Sequence, residues 1–128
     1  MPHLILDYSA NMEDRLDMSE LCNLIRIAAI ETGIFPTSGI RVRALKADYV
    51  SIADGSGENG YIDISVRLRE GRDQQTREKS VEHIFAAAKK FLKPVMDAYP
   101  VALSIEMRNI DPTLSPKVNS IGNFMKEA

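Results

Sequence analysis

The sequence predicts an α+β fold: two fused β-α-β units that form a four-stranded mixed sheet with two helices on one face. Three observations predict it. Four short apolar stretches, near residues 2–8, 40–45, 61–69 and 101–106, have the composition or alternation of strands. Between the members of each pair, apolar residues recur every three or four positions, as in an amphipathic helix. A segment rich in glycine and polar turn residues, 54–60, separates the two strand-helix-strand sets.

The first half begins with a strand over Pro2–Tyr8 and a loop at residues 9–11. Asp17 and Glu20 have the spacing of an N-terminal capping pair for a helix that ends at Gly33. The apolar positions of this helix are Leu21, Leu24, Ile25 and Ala28. A turn at residues 35–39 leads into the second strand.

The second half opens with the clearest alternation in the chain, over Tyr61–Arg69. Its apolar positions are Ile62, Ile64, Val66 and Leu68. A turn at residues 71–73 starts a long amphipathic helix, which Pro94 is expected to kink or end. A fourth strand follows, and the tail from residue 111 is predicted to be irregular.

The chain is expected to be a single domain, 1–128, with pseudo-repeat halves at about 2–53 and 61–110 and a tail at 111–128. Helical crossovers favour parallel strand pairing within each half. Two helices on one face leave the other sheet face partly apolar, so a second copy of the chain is the expected cover.

Composition excludes several classes of function. Sixteen basic and 18 acidic residues give a formal net charge of −2, which does not favour nucleic acid or an anionic membrane as partner. No apolar stretch approaches the ~20 residues of a membrane span. The single cysteine, Cys22, permits no intrachain disulfide, and a cytoplasmic location is expected. The two histidines show no metal-ligand spacing, so neither a metal nor another cofactor is predicted.

Pro2 is the first candidate for chemistry. If Met1 is removed, Pro2 carries a free secondary amine, and terminal amines ordinarily titrate near a pKa of about 8. Partial burial and a neighbouring arginine would each lower that pKa, leaving a neutral nitrogen able to accept a proton. The alternative is that Pro2 only begins a strand, where its missing N–H is tolerated.

Five arginines form the second candidate group, because they fall at strand positions or strand ends in both halves. They are Arg41, Arg43, Arg67, Arg69 and Arg72. Guanidinium groups bind carboxylates bidentately and can stabilise an enolate. The alternative is a solvated polar face on which Asp63 and Glu106 pair with the arginines.

The sequence resembles the 5-carboxymethyl-2-hydroxymuconate isomerase family of the tautomerase superfamily. The resemblance rests on Pro2-His3, the block GIFPTSGIR at residues 33–41, the turn at 53–55, Gly71-Arg72 and residues 112–114. These motifs follow one another over nearly the whole chain. The tail beyond residue 114 agrees only loosely with the family pattern.

The resemblance implies a trimeric isomerase that moves a proton along a conjugated oxo acid. It implies Pro2 as general base and acid, and Arg41 and Arg72 as substrate-binding residues, one for a carboxylate and one for the 2-oxo oxygen. The expected partners are a small carboxylated substrate and two further copies of the chain. Two alternatives stay open: another tautomerase-superfamily activity on 2-oxo acids, or a non-catalytic small-acid binding or assembly module.

Overall fold

The computed structural model describes residues 2–126. Met1, whose removal is part of the prediction for Pro2, and the last two residues of the predicted tail lie outside the described residues. Its strands and long helices are, in chain order, β1 (His3–Ser9), α1 (Met18–Thr32), β2 (Arg41–Ala47), β3 (Gly60–Arg69), α2 (Gln74–Ala98) and β4 (Val101–Ile110). Short 3-10 helices occupy Ala10–Asp14, Thr37–Gly39 and Ile121–Phe124.

The four strands form one mixed sheet in the order β2-β1-β3-β4. β1 pairs with β2 in parallel, and β3 pairs with β4 in parallel. The central pair, β1 and β3, is antiparallel. Each parallel pair needs a long crossover, which α1 and α2 supply. The predicted fold class is therefore confirmed, and this strand arrangement supports the proposal of two fused halves.

The core lies between the sheet and the two helices. β3 alternates strictly between buried and half-buried residues, as its sequence predicts. The fully buried large side chains that form this core include Leu4, Leu6, Ile62, Ile64, Leu21, Ile25, Ile84 and Leu92. Because burying one such side chain contributes about 1.5–3 kcal/mol, this layer supplies the main driving force for the fold.

The predicted helix signals are confirmed at both ends of α1. The carboxylate of Asp17 accepts hydrogen bonds from the backbone N–H groups of Ser19 and Glu20, at 2.9 and 3.2 Å. Gly33 ends the helix in the left-handed conformation, with φ 73°. In α2, Asp73 caps the first turn by accepting from the N–H of Thr76 at 2.7 Å.

Two local predictions need correction. α2 does not end at Pro94 but continues to Ala98; Pro94 is exposed, so its ring meets solvent and the helix loses only one hydrogen bond. The predicted loop after β1 instead contains the 3-10 helix at residues 10–14, because the fully buried side chain of Met12 anchors it to the core.

The sheet face opposite the helices is here called the open face. It is mainly polar, with isolated apolar residues. By strand register its members include His3, Ile5, Asp7, Arg41, Arg43, Leu45, Asp63, Arg67, Arg69, Glu106, Arg108 and Ile110. Charge is uneven along it: arginines gather around His3, and carboxylates lie toward the other end, at Asp7 and Asp63.

Candidate active site

A pocket of about 390 Å³ opens at the arginine-rich end of the open face. Its lining residues are His3, Arg41, Arg67, Arg69, Ile110, Ser115, Pro116, Lys117 and Val118. The start of β1 and the start of β2 form one side of the pocket. The ends of β3 and β4 form the other side, and the tail covers it. This meeting of strand starts and strand ends follows from the antiparallel pairing of β1 with β3. The pocket is here called the basic pocket.

Strand register brings the arginines together. His3 lies opposite Arg41 on one side and opposite Arg67 on the other. Arg69 is two residues further along β3 and therefore projects from the same face. Its Nη2 donates to the carbonyl of Ser115 at 3.5 Å, which ties the tail to the strand.

The lining of the basic pocket is strongly cationic. Among residues 2–126, three arginines and Lys117 line it, and no carboxylate does. Guanidinium groups attract anions and can bind carboxylates through paired hydrogen bonds. The pocket is therefore suited to an organic acid.

His3 lies between two guanidinium groups. Its Nε2 is 3.3 Å from Nη1 of Arg41, and its Nδ1 is 3.2 Å from Nη1 of Arg43. A neutral imidazole has one acceptor nitrogen, so it can accept from only one of these arginines at a time. Burial, followed by the charges of Arg67, Arg41 and Arg43, lowers the pKa of His3 from its ordinary value of 6.5. These causes favour the neutral ring.

Pro2 is buried beside the basic pocket without lining it. Its carbonyl accepts a hydrogen bond from the backbone N–H of Arg41 at 3.3 Å. Pro2 therefore precedes β1 directly, and its neighbours His3 and Arg41 both line the pocket. The structure thus brings two of the three sequence-predicted site residues, Pro2 and Arg41, next to each other.

Arg72 lies at the turn between β3 and α2, outside the lining of the basic pocket. Its Nη2 donates a short hydrogen bond to the carbonyl of Ile34, and its Nη1 donates to the carbonyl of Arg69 at 3.4 Å. In the single chain these bonds join the turn before α2 to the segment after α1. Since Arg69 lines the pocket, Arg72 lies one contact away from it.

Sequence reasoning gave no role to Lys117 or to the tail segment 115–118. An irregular segment has no period from which its position could be predicted, so no signal in a single sequence would have placed it over the pocket. Among residues 2–126 no cluster of histidine, cysteine and carboxylate side chains could hold a metal ion. Within the same residues no helix is long and apolar enough to cross a membrane.

The fold and the pocket define a small α+β protein with a cationic pocket on its open sheet face. The family described as "CHMI: 5-carboxymethyl-2-hydroxymuconate isomerase" matches residues 2–125, and the chain belongs to this family of enzymes. A 5-carboxymethyl-2-hydroxymuconate Delta-isomerase from Escherichia coli is 30% identical over 126 residues, which cover 98% of this chain and all of that protein.

Solved structures agree. A crystal structure of a 5-carboxymethyl-2-hydroxymuconate delta-isomerase superposes with a TM-score of 0.92 at 27% identity, covering 100% of this chain and 95% of that one. More distantly, a structure described as a fused 4-OT wild-type symmetric trimer has a TM-score of 0.66 at 13% identity, covering 94% of this chain and 98% of that one. The fold is that of the tautomerase superfamily.

Proposed function

We propose that the chain isomerises an unsaturated 2-hydroxy or 2-oxo di- or tricarboxylic acid such as 5-carboxymethyl-2-hydroxymuconate, by proton transfer that yields the keto form. Membership of the family supports the reaction class. The observation that carries the proposal is the basic pocket beside a buried Pro2. Within the described part of the chain, four cationic side chains and no carboxylate line this pocket. Such a site binds an acid and stabilises negative charge on a dienolate.

In this proposal Met1 is removed and Pro2 provides the general base and acid. Its neutral secondary amine accepts a proton from the dienol and returns it to a carbon of the conjugated chain, so the product is an isomer and nothing is consumed. Burial and the adjacent Arg41 both disfavour the protonated amine, which keeps the nitrogen able to accept a proton near neutral pH.

Arg41 and Arg72 are the proposed substrate-binding residues. One holds a carboxylate and the other polarises the 2-oxo oxygen, and the assignment between them stays open. The position of Arg41 in the basic pocket supports its role. The role of Arg72 rests on the family resemblance. Its guanidinium has five N–H groups, and two of them donate to backbone carbonyls.

A homotrimer in the cytoplasm is part of the same proposal. The distant relative described as a symmetric trimer shares this fold. The open face, uncovered in the single chain, is the surface through which copies would pack.

The test compares Pro2→Ala with the wild-type enzyme, using intact mass to establish loss of Met1 in both. We expect Pro2→Ala to lose most turnover, because a primary amine replaces the secondary amine held by the ring. Its thermal midpoint should stay nearly unchanged, because the residue lies at the chain terminus and alanine keeps the backbone carbonyl that accepts from Arg41. The control is Pro94→Ala, an exposed proline in α2, which should keep turnover. A second arm adds a cleavable N-terminal extension, which turns the Pro2 nitrogen into an amide; activity should return after cleavage.

Full turnover by Pro2→Ala, or by the uncleaved extension, would contradict the proton-transfer role of Pro2. Arg41→Ala should lower kcat/KM for a carboxylated substrate. The decrease should correspond to about 1.5 to 3 kcal/mol of lost transition-state stabilisation, the free energy of a hydrogen bond to a charged group.

A further inference from the structure

Arg67 and Arg41 lie on opposite sides of the basic pocket. It lies on β3 directly opposite His3, whereas Arg41 lies opposite His3 on β2. The two arginines are therefore carried by strands on either side of β1, with backbones roughly 10 Å apart, twice the spacing of neighbouring strands. Both line the pocket. Two cations at this separation suit a ligand with two separate negative groups better than one with a single carboxylate.

The hydrogen bonding of Arg67 is incomplete. Its Nε is buried and has no acceptor among residues 2–126. Buried polar atoms are normally paired, and an unpaired charged donor is costly, so an acceptor from outside these residues is expected. By contrast, Arg69 donates to the carbonyl of Ser115, and Arg108 pairs with Glu106 at 3.3 Å.

The described lining of the basic pocket, within residues 2–126, contains no carboxylate and so supplies no anionic acceptor for Arg67. The cross-strand neighbours of Arg67 on the open face are Arg108 and His3, and His3 already lies between two guanidinium groups. A carboxylate that enters the pocket would satisfy Arg67 and also offset the positive charge that surrounds the imidazole. An anionic ligand thus accounts for the position of Arg67, for its unpaired Nε and for the charge of the lining.

We propose that Arg67 binds a second carboxylate of the ligand while Arg41 holds the first, so that the pocket selects acids with at least two carboxylates. The identity of the reacting ligand rests on the proposed function; the binding of a polycarboxylate does not. Arg67 would set substrate preference and would not take part in proton transfer.

Calorimetric titration with propane-1,2,3-tricarboxylate, an unreactive polycarboxylate, tests this directly, with butyrate as the monocarboxylate. We expect Arg67→Met to weaken tricarboxylate binding by about 10- to 100-fold, the range for a lost hydrogen bond to a charged group. Arg67→Lys keeps the charge but loses the planar guanidinium group, so its affinity for the tricarboxylate should lie between those of wild type and Arg67→Met. Arg108→Met is the matched control, because Arg108 lies beside Arg67 on the same face but outside the pocket; its affinity should change by less than about twofold.

Several results would overturn the assignment. The wild type could bind both acids with equal affinity, or bind neither. Arg67→Met could bind the tricarboxylate as the wild type does, or Arg67→Met and Arg108→Met could lose equal affinity, which would indicate an effect of bulk charge. Light scattering serves as a second readout. If Arg67→Met loses both binding and assembly, the Nε–H belongs to a contact between copies and the inference fails. If binding follows the expectation but no enol is isomerised, the proposed function fails and the subsite stands.

Discussion

Replacing Arg72 with alanine tests whether this residue stabilises the fold, the substrate or both. The guanidinium of Arg72 donates to the carbonyls of Ile34 and Arg69. Ile34 follows the end of α1, and Arg69 ends β3, so one side chain joins these two parts of the fold. Alanine removes both donors and leaves the half-buried carbonyl of Ile34 without this partner.

The expected loss can be worked from these contacts. A hydrogen bond from a charged donor contributes about 1.5–3 kcal/mol, and the bond to Ile34 is the shorter and stronger of the two. The longer bond to Arg69, at 3.4 Å, should add little. A loss of this size corresponds to a fall of roughly 5–15 °C in the midpoint for a chain of this length.

Calorimetry of wild type, Arg72→Ala and Arg72→Lys measures the midpoint, and kinetics well below that midpoint measures kcat/KM per folded molecule. The control is Arg26→Ala, an exposed arginine on α1, which should unfold within about 2 °C of wild type. An Arg72→Ala protein that unfolds at the wild-type midpoint would refute the structural role inferred from the two carbonyl contacts. Unchanged kcat/KM in the folded variant would contradict the proposed substrate role.

Two further predictions concern packing and protonation. Gly60→Ala should lower the free energy of unfolding, measured in urea, by about 1–3 kcal/mol, because an added Cβ would lie 2.9 Å from the Met12 sulfur. In the control Gly57→Ala the added Cβ has nothing within 4 Å, so its free energy of unfolding should be no lower than that of wild type. Equal losses in the two variants would refute the steric account. The NMR midpoint of the His3 ring, assigned with His3→Gln, should lie below 6.5 and should rise in Arg67→Met. A lowered pKa means that the unfolded chain binds the proton more readily than the folded chain. The contribution of His3 to the free energy of unfolding is therefore complete above pH ~6.5 and is lost as the pH falls through the folded pKa. In His3→Gln the free energy of unfolding should change less with pH over this range.

The sequence was sufficient for the fold because local signals agreed with tertiary structure. Alternation in β3 matches its burial residue by residue, and Asp17 and Gly33 stand at the two ends of α1 as predicted. The two errors arose where tertiary contacts override local preference. Burial of Met12 orders the segment after β1, and the exposed position of Pro94 lets α2 continue.

The site was less predictable. Alternation placed Arg41, Arg67 and Arg69 on one face, but the residues that meet across the sheet depend on the register of β1 against β3. That register is set by packing between the two halves and cannot be obtained from either half alone. Lys117 was missed for a different reason, because it lies in an irregular segment that has no period. The contacts of Arg72 with the carbonyls of Ile34 and Arg69 depend on how the turn before α2 packs against the segment after α1, which the sequence does not show.

The strand arrangement also explains why the sheet has one basic pocket and not two. An antiparallel central pair gives the sheet two ends of similar design, each made of two strand starts and two strand ends. At the end opposite the pocket the open face carries Asp7 opposite Asp63, and Ser104 donates to Asp63 at 2.7 Å. Carboxylates at this end repel anions, so the charges of the open face favour anion binding at the end beside Pro2, in agreement with the proposed function.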